Sequence, residues 1–198
     1  MHRFRHAQGR HKRRCRKRSG DPFQNFKQVN SGIQSKKINQ EFFMKIEYIN
    51  PFLEASVYVL EQFMPGVCID KNKLGVMSEP LASLGVAALV GLTGQLKGRV
   101  IYDMTQETAL QVVSKMNYEE FKEFNELARS TINELSNMIT GTAVAKLSGL
   151  GYKFDLTPPS LFTGQKVIIT DAMHLKHLVV PVSTPCGTII LNLGLTDK

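Results

Sequence analysis

The 198-residue sequence contains no tryptophan and only three cysteines, Cys15, Cys68 and Cys186. No two of them form a CxxC pair, which argues against a zinc ribbon and against a disulfide-rich scaffold. The longest apolar-leaning stretch, residues 81–92, is much shorter than the ~20 residues that a membrane-spanning helix needs. With 42% hydrophobic and 21% charged residues, the sequence is typical of a soluble globular protein and predicts no membrane contact.

Several patterns of catalytic and metal sites are also missing. There is no Gly-x-Ser-x-Gly elbow of a serine hydrolase. Gly91-x-x-Gly94-x-x-Lys97 lacks the GxxxxGK(S/T) order of a phosphate-binding loop, and a hairpin turn explains it. His174 and His177 face opposite sides of a strand because they are three residues apart, and no acidic or cysteine partner has ligand spacing. We therefore expect no metal on this chain.

The positive charge is confined to one end of the sequence. The net charge is +8, but residues 1–43 hold 12 Lys and Arg against 2 Asp and Glu, a net charge of +10. Residues 44–198 hold 13 against 15, a net charge of −2. Because the first segment lacks apolar periodicity, we expect it to be a basic disordered extension. Met44 and the residues after it resemble a translation start, so we expect the folded domain to span residues 44–198.

The basic extension has three interpretations. It could neutralise phosphates as a nucleic-acid-binding arm. It could be a transit-type peptide, although it lacks the apolar core of a secretory signal. We prefer the third interpretation, a non-native extension before the folded domain. Nucleic acid is then not the expected partner, because the domain itself is mildly acidic.

Three helices are predicted in residues 44–198. The first begins with Asn50 as its N-cap and ends at Pro65-Gly66. The second is capped by Thr105 and runs to about residue 116. The longest runs from Tyr118 to about Leu147, and the glycines that follow stop it. Its predicted apolar face comprises Phe121, Phe124, Ala128, Ile132, Leu135 and Ile139.

Valine, isoleucine and glycine patterns predict a sheet. Residues 84–92 and 99–103 predict a hairpin with its turn at Gly94–Gly98. After Pro158-Pro159 the chain becomes β-like again, with a turn at Thr184–Gly187 before the last strand. The blocks of helices and strands predict an α+β fold in which helices pack on one antiparallel or mixed β-sheet. The predicted later strands are residues 166–170, 175–182 and 188–193.

Four small or polar residues share the outer face of the predicted long helix. Ser130, Glu134, Asn137 and Gly141 lie within about 60° of one another on a helical wheel, opposite the apolar stripe. They therefore form one ridge with a hydroxyl, a carboxylate, an amide and a glycine that lets another surface come close. Polar residues on the outer face of a helix are usually only solvated, so spacing alone does not assign a function to them.

The stretch Ser130-x-x-x-Glu134-x-x-Asn137 resembles the signature of the CheC/CheX/FliY family of chemotaxis phosphatases. Residues 134–143 resemble that family's active helix, and residues 92–104 resemble its preceding hairpin. The resemblance covers about residues 44–198, nearly the whole of the proposed domain. Pro159 matches the family's proline loosely, since its spacing departs by one residue. The signature occurs once, which favours the single-site CheX-like branch.

The resemblance implies a phosphatase that hydrolyses the aspartyl phosphate of a CheY-type response regulator. It implies that Asn137 orients the attacking water, that Glu134 docks on the partner, and that Ser130, Gly141 and Pro159 help to bind it. The partner would supply its own Mg²⁺, and this chain would hold no cofactor. It also implies a cytoplasmic homodimer, in which the Val/Ile-rich terminal strands could supply a paired sheet edge. The alternative is a non-catalytic module of the same fold that binds a response regulator or the flagellar switch.

Overall fold

The computed structural model describes residues 45–69, 73–77, 81–170 and 175–197. The predicted extension at residues 1–43 lies outside these ranges. The described residues form three helices and ten strands. The helices are α1 (Ile46–Phe63), α2 (Gln106–Asn117) and α3 (Glu126–Gly149). The strands are β1 (Cys68–Ile69), β2 (Gly75–Met77), β3 (Leu81–Ala82), β4 (Val86–Gly94), β5 (Leu96–Met104), β6 (Phe154–Leu156), β7 (Ser160–Thr163), β8 (Ile168–Ile169), β9 (His177–Thr184) and β10 (Gly187–Asp197).

Eight strands form the main sheet, in the order β1-β9-β10-β5-β4-β6, with β2 also paired to β9 and β7 to β4. Every pairing among the described strands is antiparallel, including that of the separate β3–β8 ribbon. Alternate residues of each strand point to opposite faces. On β4, Val86, Ala88 and Val90 join the core with the helices, whereas Ala87 packs on the other face. The predicted α+β fold is confirmed.

The predicted hairpin is formed by β4 and β5, with Val86 opposite Met104 and Leu92 opposite Gly98. Its turn is tighter than predicted, because the strands continue to Gly94 and begin again at Leu96. Gly98 therefore lies inside a strand and not in a turn. Its φ is +138°, and a Cβ there would collide with the carbonyl oxygen of Gly194 on β10. A residue without a side chain is needed for this close approach of two strands.

The first helix begins five residues earlier than predicted, at Ile46, and contains Asn50 and Pro51. Asn50 is therefore not the N-cap. The extra turn forms because it packs: Tyr48 and Ile49 are buried, and the Tyr48 ring meets the Tyr152 ring edge-on at 5.3 Å. Tertiary contacts thus override a local start signal. The predicted end is confirmed, since the helix ends just before Pro65.

The second helix is confirmed, but the start predicted for the long helix is wrong. The Thr105 hydroxyl accepts a hydrogen bond from the Thr108 amide at 3.1 Å, as an N-cap does. Tyr118 then turns left-handed, with φ 56°, and ends α2. The long helix α3 begins only at Glu126, because the Asn125 side chain caps it by accepting from the Ala128 amide at 2.9 Å.

Two aromatic residues assigned to the long helix therefore lie in the preceding loop. Phe121 and Phe124 are half-buried and pack against the core from there. The other predicted members of the apolar face are on α3 and are buried, which confirms that part of the helical pattern. These residues are Ala128, Ile132, Leu135 and Ile139.

The last two predicted strands are confirmed as β9 and β10, which are joined by the predicted turn. Of the strand predicted at residues 166–170, only the two residues of β8 are in a strand, and β8 pairs with β3 in the separate ribbon. Two strands around Pro158-Pro159, β6 and β7, were not predicted, and both pair with β4 at the edge of the sheet. The paired sheet edge suggested for the terminal strands does not lie at β9 or β10, because neither is an edge strand of the described sheet. Strand β10 lies between β9 and β5, and β9 is flanked on its other side by β1 and β2.

Within the described ranges, no helix combines the length and the apolar character that crossing a membrane would require.

Candidate functional site

The predicted ridge is present on helix α3. Ser130, Glu134 and Asn137 are exposed, and Gly141 is half-buried with open space where its Cβ would be. All four belong to one continuous helix, so positions four, seven and eleven residues after Ser130 share its face. The structure therefore brings together four of the five residues predicted for the site.

The fifth residue, Pro159, is not on the ridge. It is half-buried in the segment between β6 and β7, the two strands at the edge beside β4. Strand β7 packs beside α3, and Arg129 of α3 donates to the Thr163 hydroxyl of β7 at 3.2 Å. Pro159 thus lies immediately before the strand that flanks the helix.

The buried side of α3 fixes the direction in which the ridge points. Ile132, Leu135 and Ile139 are at most 2% exposed, and Ala128 and Ala143 are fully buried. Rotating the helix to bury the ridge would bring these apolar side chains into water, at a cost of roughly 25 cal/mol per Å². The ridge therefore faces solvent as a consequence of the core.

Side-chain contacts hold both ends of α3 in place. Near its start, Asn117 Nδ2 donates to the Thr131 hydroxyl at 3.0 Å and joins α3 to α2. Near its end, Lys146 Nζ pairs with Glu54 Oε2 at 2.7 Å and joins α3 to α1. The helix that carries the ridge is thus fixed to both other helices.

A buried hydrogen bond joins the middle of α3 to the sheet. The hydroxyls of Tyr102 on β5 and Thr140 on α3 are 2.8 Å apart, and Thr140 also donates to the Ser136 carbonyl at 2.7 Å. Burial raises the pKa of Tyr102 well above its usual range, so the phenol stays protonated. Neither residue was among those predicted for the site from the sequence. The available signal was a tyrosine on the core-facing side of an otherwise apolar strand, which needs a partner for its hydroxyl.

The polar side chains of the ridge are free to meet a partner. Within the described part of the chain, Ser130, Glu134 and Asn137 form no intramolecular side-chain hydrogen bond or ion pair. An exposed amide offers both a donor and an acceptor, and an ionised carboxylate offers only acceptors. The ridge can therefore present a neutral hydrogen-bonding group and, one turn earlier, a negative charge.

No group of three or more His, Cys, Asp or Glu suited to a metal ion occurs among the residues that the structure describes. Of the two histidines considered above, His177 is buried and His174 lies outside the described residues. The ridge has a single carboxylate, that of Glu134.

The sequence model of the family described as chemotaxis phosphatase CheX matches residues 86–183, a range that includes the whole ridge. The CheY-P phosphatase CheX of Thermotoga maritima is 36% identical over 131 residues, which are 66% of this chain and 84% of that protein. The chain belongs to the CheX family. The family resemblance drawn from the ridge residues is confirmed.

Solved structures agree with this family assignment. A CheC-like protein from Shewanella superposes with a TM-score of 0.70 at 28% identity, covering 78% of this chain and all of that one. CheX from Borrelia burgdorferi, solved in a complex with CheY, BeF₃ and Mg²⁺, has a TM-score of 0.60 at 34% identity. That match covers 77% of this chain and all of the Borrelia chain.

Proposed function

We propose that this CheX-family chain hydrolyses the aspartyl phosphate of a CheY-type response regulator, with Asn137 orienting the attacking water. The observation that carries the proposal is the free, exposed side chain of Asn137 on a helix whose position is fixed on several sides. The Thermotoga relative is a CheY-P phosphatase, and the Borrelia relative was crystallised with CheY. Both support a CheY-type substrate.

A neutral amide suits the task of orienting water. Phosphoryl transfer has a loose transition state, so catalysis depends mainly on positioning and on stabilising charge. The Asn137 carbonyl can accept a hydrogen bond from water and places no negative charge beside the phosphoryl oxygens. Glutamine does comparable work in GTPases. Asn137 would enter the partner's site and hold the water in line with the phosphorus.

Glu134 would dock on the partner. A carboxylate beside the phosphoryl group itself would be repelled, whereas a lysine of the receiver would attract it. Glu134 lies one turn before Asn137 on the same exposed face, so a contact through Glu134 would set the depth and angle of the amide. Ser130 and Gly141 would lie at the two ends of the same contact surface, with Pro159 on the flanking segment.

Mg²⁺ would come from the receiver, and we assign no residue of this chain to it. We also propose that the protein is a cytoplasmic homodimer, as the family resemblance implies. Neither β9 nor β10 is an edge strand of the described sheet. If the sheets of two copies pair in a dimer, the strands that pair would therefore be β1 and β2, or β6 and β7. Size-exclusion chromatography with light scattering tests the dimer: a single-chain mass at micromolar concentration would contradict it.

The experiment that tests the proposed function follows inorganic phosphate release. The full chain is added at substoichiometric amounts to a CheY-type receiver that has been phosphorylated and freed of phosphodonor. Faster phosphate release with multiple turnovers would support the proposal. A chain that binds the phosphorylated receiver without accelerating release would instead be the alternative, a non-catalytic binding module.

A further inference from the structure

The hydrogen bond between Tyr102 and Thr140 has a defined direction. A threonine hydroxyl carries one proton, and the Thr140 hydroxyl uses it toward the Ser136 carbonyl at 2.7 Å. Tyr102 must therefore donate to Thr140 across the 2.8 Å contact. The resulting chain runs from the Tyr102 hydroxyl through Thr140 to the backbone of Ser136, the residue immediately before Asn137.

Tyr102 is held by the centre of the sheet. Its strand β5 lies between β4 and β10, where Tyr102 is opposite Ala88 on one side and Leu191 on the other. The side chain is 3% exposed and Thr140 is fully buried, so water does not compete for the bond between them. The bond therefore connects the backbone of Ser136, next to Asn137, to a strand that is paired on both sides.

We propose that Tyr102, acting through Thr140, is a positioning residue that holds the helical turn bearing Asn137 at the correct depth. This inference rests on the proposed function, because it assigns the bond a role in orienting the catalytic amide. It gives a role to a pair of hydroxyls that is buried in an otherwise largely apolar core.

The same helix provides a matched control. Thr142 donates to the Met138 carbonyl at 2.7 Å, which is the same local bond that Thr140 makes to Ser136. Among the described residues Thr142 has no further hydrogen bond to the sheet. Thr142→Val therefore removes an equivalent helix bond without breaking the connection to β5.

The test compares Tyr102→Phe, Thr140→Val, Thr140→Ser and Thr142→Val in steady-state hydrolysis of a phosphorylated receiver. A misplaced catalytic group lowers the rate steeply, so we expect Tyr102→Phe and Thr140→Val to lower kcat roughly 10-fold, with KM unchanged. Thr140→Ser keeps the hydroxyl and should restore kcat, and Thr142→Val should resemble the wild type. Unchanged kcat in Tyr102→Phe, or an equal loss in Thr142→Val, would overturn the inference.

A second readout does not depend on activity. The side-chain amide of Asn137 is followed by NMR relaxation in the same full-length variants. We expect a lower order parameter for that amide in Tyr102→Phe and Thr140→Val than in Thr142→Val. Equal order parameters in all three variants would contradict the positioning role. If the wild-type chain does not accelerate phosphate release, the proposed function is wrong. The NMR measurement still decides whether the bond between Tyr102 and Thr140 orders the side chain of Asn137.

Discussion

Gly141 lies one helical turn after Asn137 on α3. Apart from the helix backbone and the two adjacent residues, no described atom lies within 4 Å of the place where its Cβ would be. Packing among the described residues therefore does not require a glycine there. Glycine in a helix interior costs about 1 kcal/mol relative to alanine. Gly141 thus leaves space beside the proposed catalytic amide of Asn137, although a glycine at this position weakens the helix.

We predict that Gly141→Ala stabilises the fold and weakens binding of the receiver. The free energy of unfolding should rise by about 0.5–1 kcal/mol, because alanine favours the helix and meets no neighbour. The added methyl group would stand between the helix and a closely approaching partner. Chemical denaturation and titration of an activated receiver measure the two effects.

Gly149→Ala is the control for that prediction. Gly149 is also a residue of α3, and a Cβ there would likewise meet nothing within 4 Å. It lies two turns beyond Gly141, away from Asn137. Gly149→Ala should leave receiver binding unchanged. Equal binding by the wild type and Gly141→Ala would remove Gly141 from the contact surface.

Glu134→Lys should weaken formation of the complex without changing the stability of the free chain. Glu134 is exposed, so the substitution breaks no side-chain hydrogen bond or ion pair among the described residues, but it places a positive charge against a lysine-bearing partner. We expect Kd to rise about 10-fold, or ~1.4 kcal/mol, and the loss to shrink at high salt. Calorimetry at two salt concentrations measures this change.

The matched control is Glu119→Lys, which makes the same change of charge at an exposed residue outside α3. It should leave Kd close to the wild-type value. If the two variants weaken binding equally, the effect comes from net charge and the docking role of Glu134 is wrong.

Asp103 gives a prediction about pH and stability. It is buried on β5, where Ser83 and the Leu84 amide donate to its carboxylate, but burial outweighs these bonds and raises its pKa above 3.8. A raised folded-state pKa contributes stability that is present below the unfolded pKa and is lost as the pH rises through the folded value. The unfolding free energy of the wild type, relative to Asp103→Asn, should therefore increase as the pH falls from 7 toward 4.

Denaturation of both proteins across that pH range tests the sign. Asp155→Asn, at an exposed residue of β6, serves as the control for the loss of one carboxylate from the chain. A difference between the wild type and Asp103→Asn that decreases toward acid would contradict the prediction.

The ridge could be predicted from the sequence because its pattern is local. Helical spacing alone places Ser130, Glu134, Asn137 and Gly141 on one face, and the apolar residues opposite them determine which face is exposed. The hairpin and the final strand pair were predictable for the same reason, since alternating apolar residues and short turns are local signals.

The features that the sequence did not reveal depend on contacts between distant residues. The first turn of α1 is stabilised by the packing of Tyr48 on Tyr152, which are over 100 residues apart. The bond between Tyr102 and Thr140 likewise spans 38 residues. Strands β6 and β7 are short and surround two prolines, so only their pairing with β4 identifies them as strands.

The role of Asn137 is tested most directly by comparing Asn137→Ala with the wild type in single-turnover hydrolysis. Each protein is present at a saturating excess over a phosphorylated receiver. Asn137 is exposed and its side chain forms no hydrogen bond with any described residue, so the variant should fold normally and bind the receiver within about twofold of the wild-type Kd. We predict that the stimulated rate falls at least ~100-fold, toward the receiver's own rate, because the water is no longer oriented. A stimulated rate equal to that of the wild type would contradict this role.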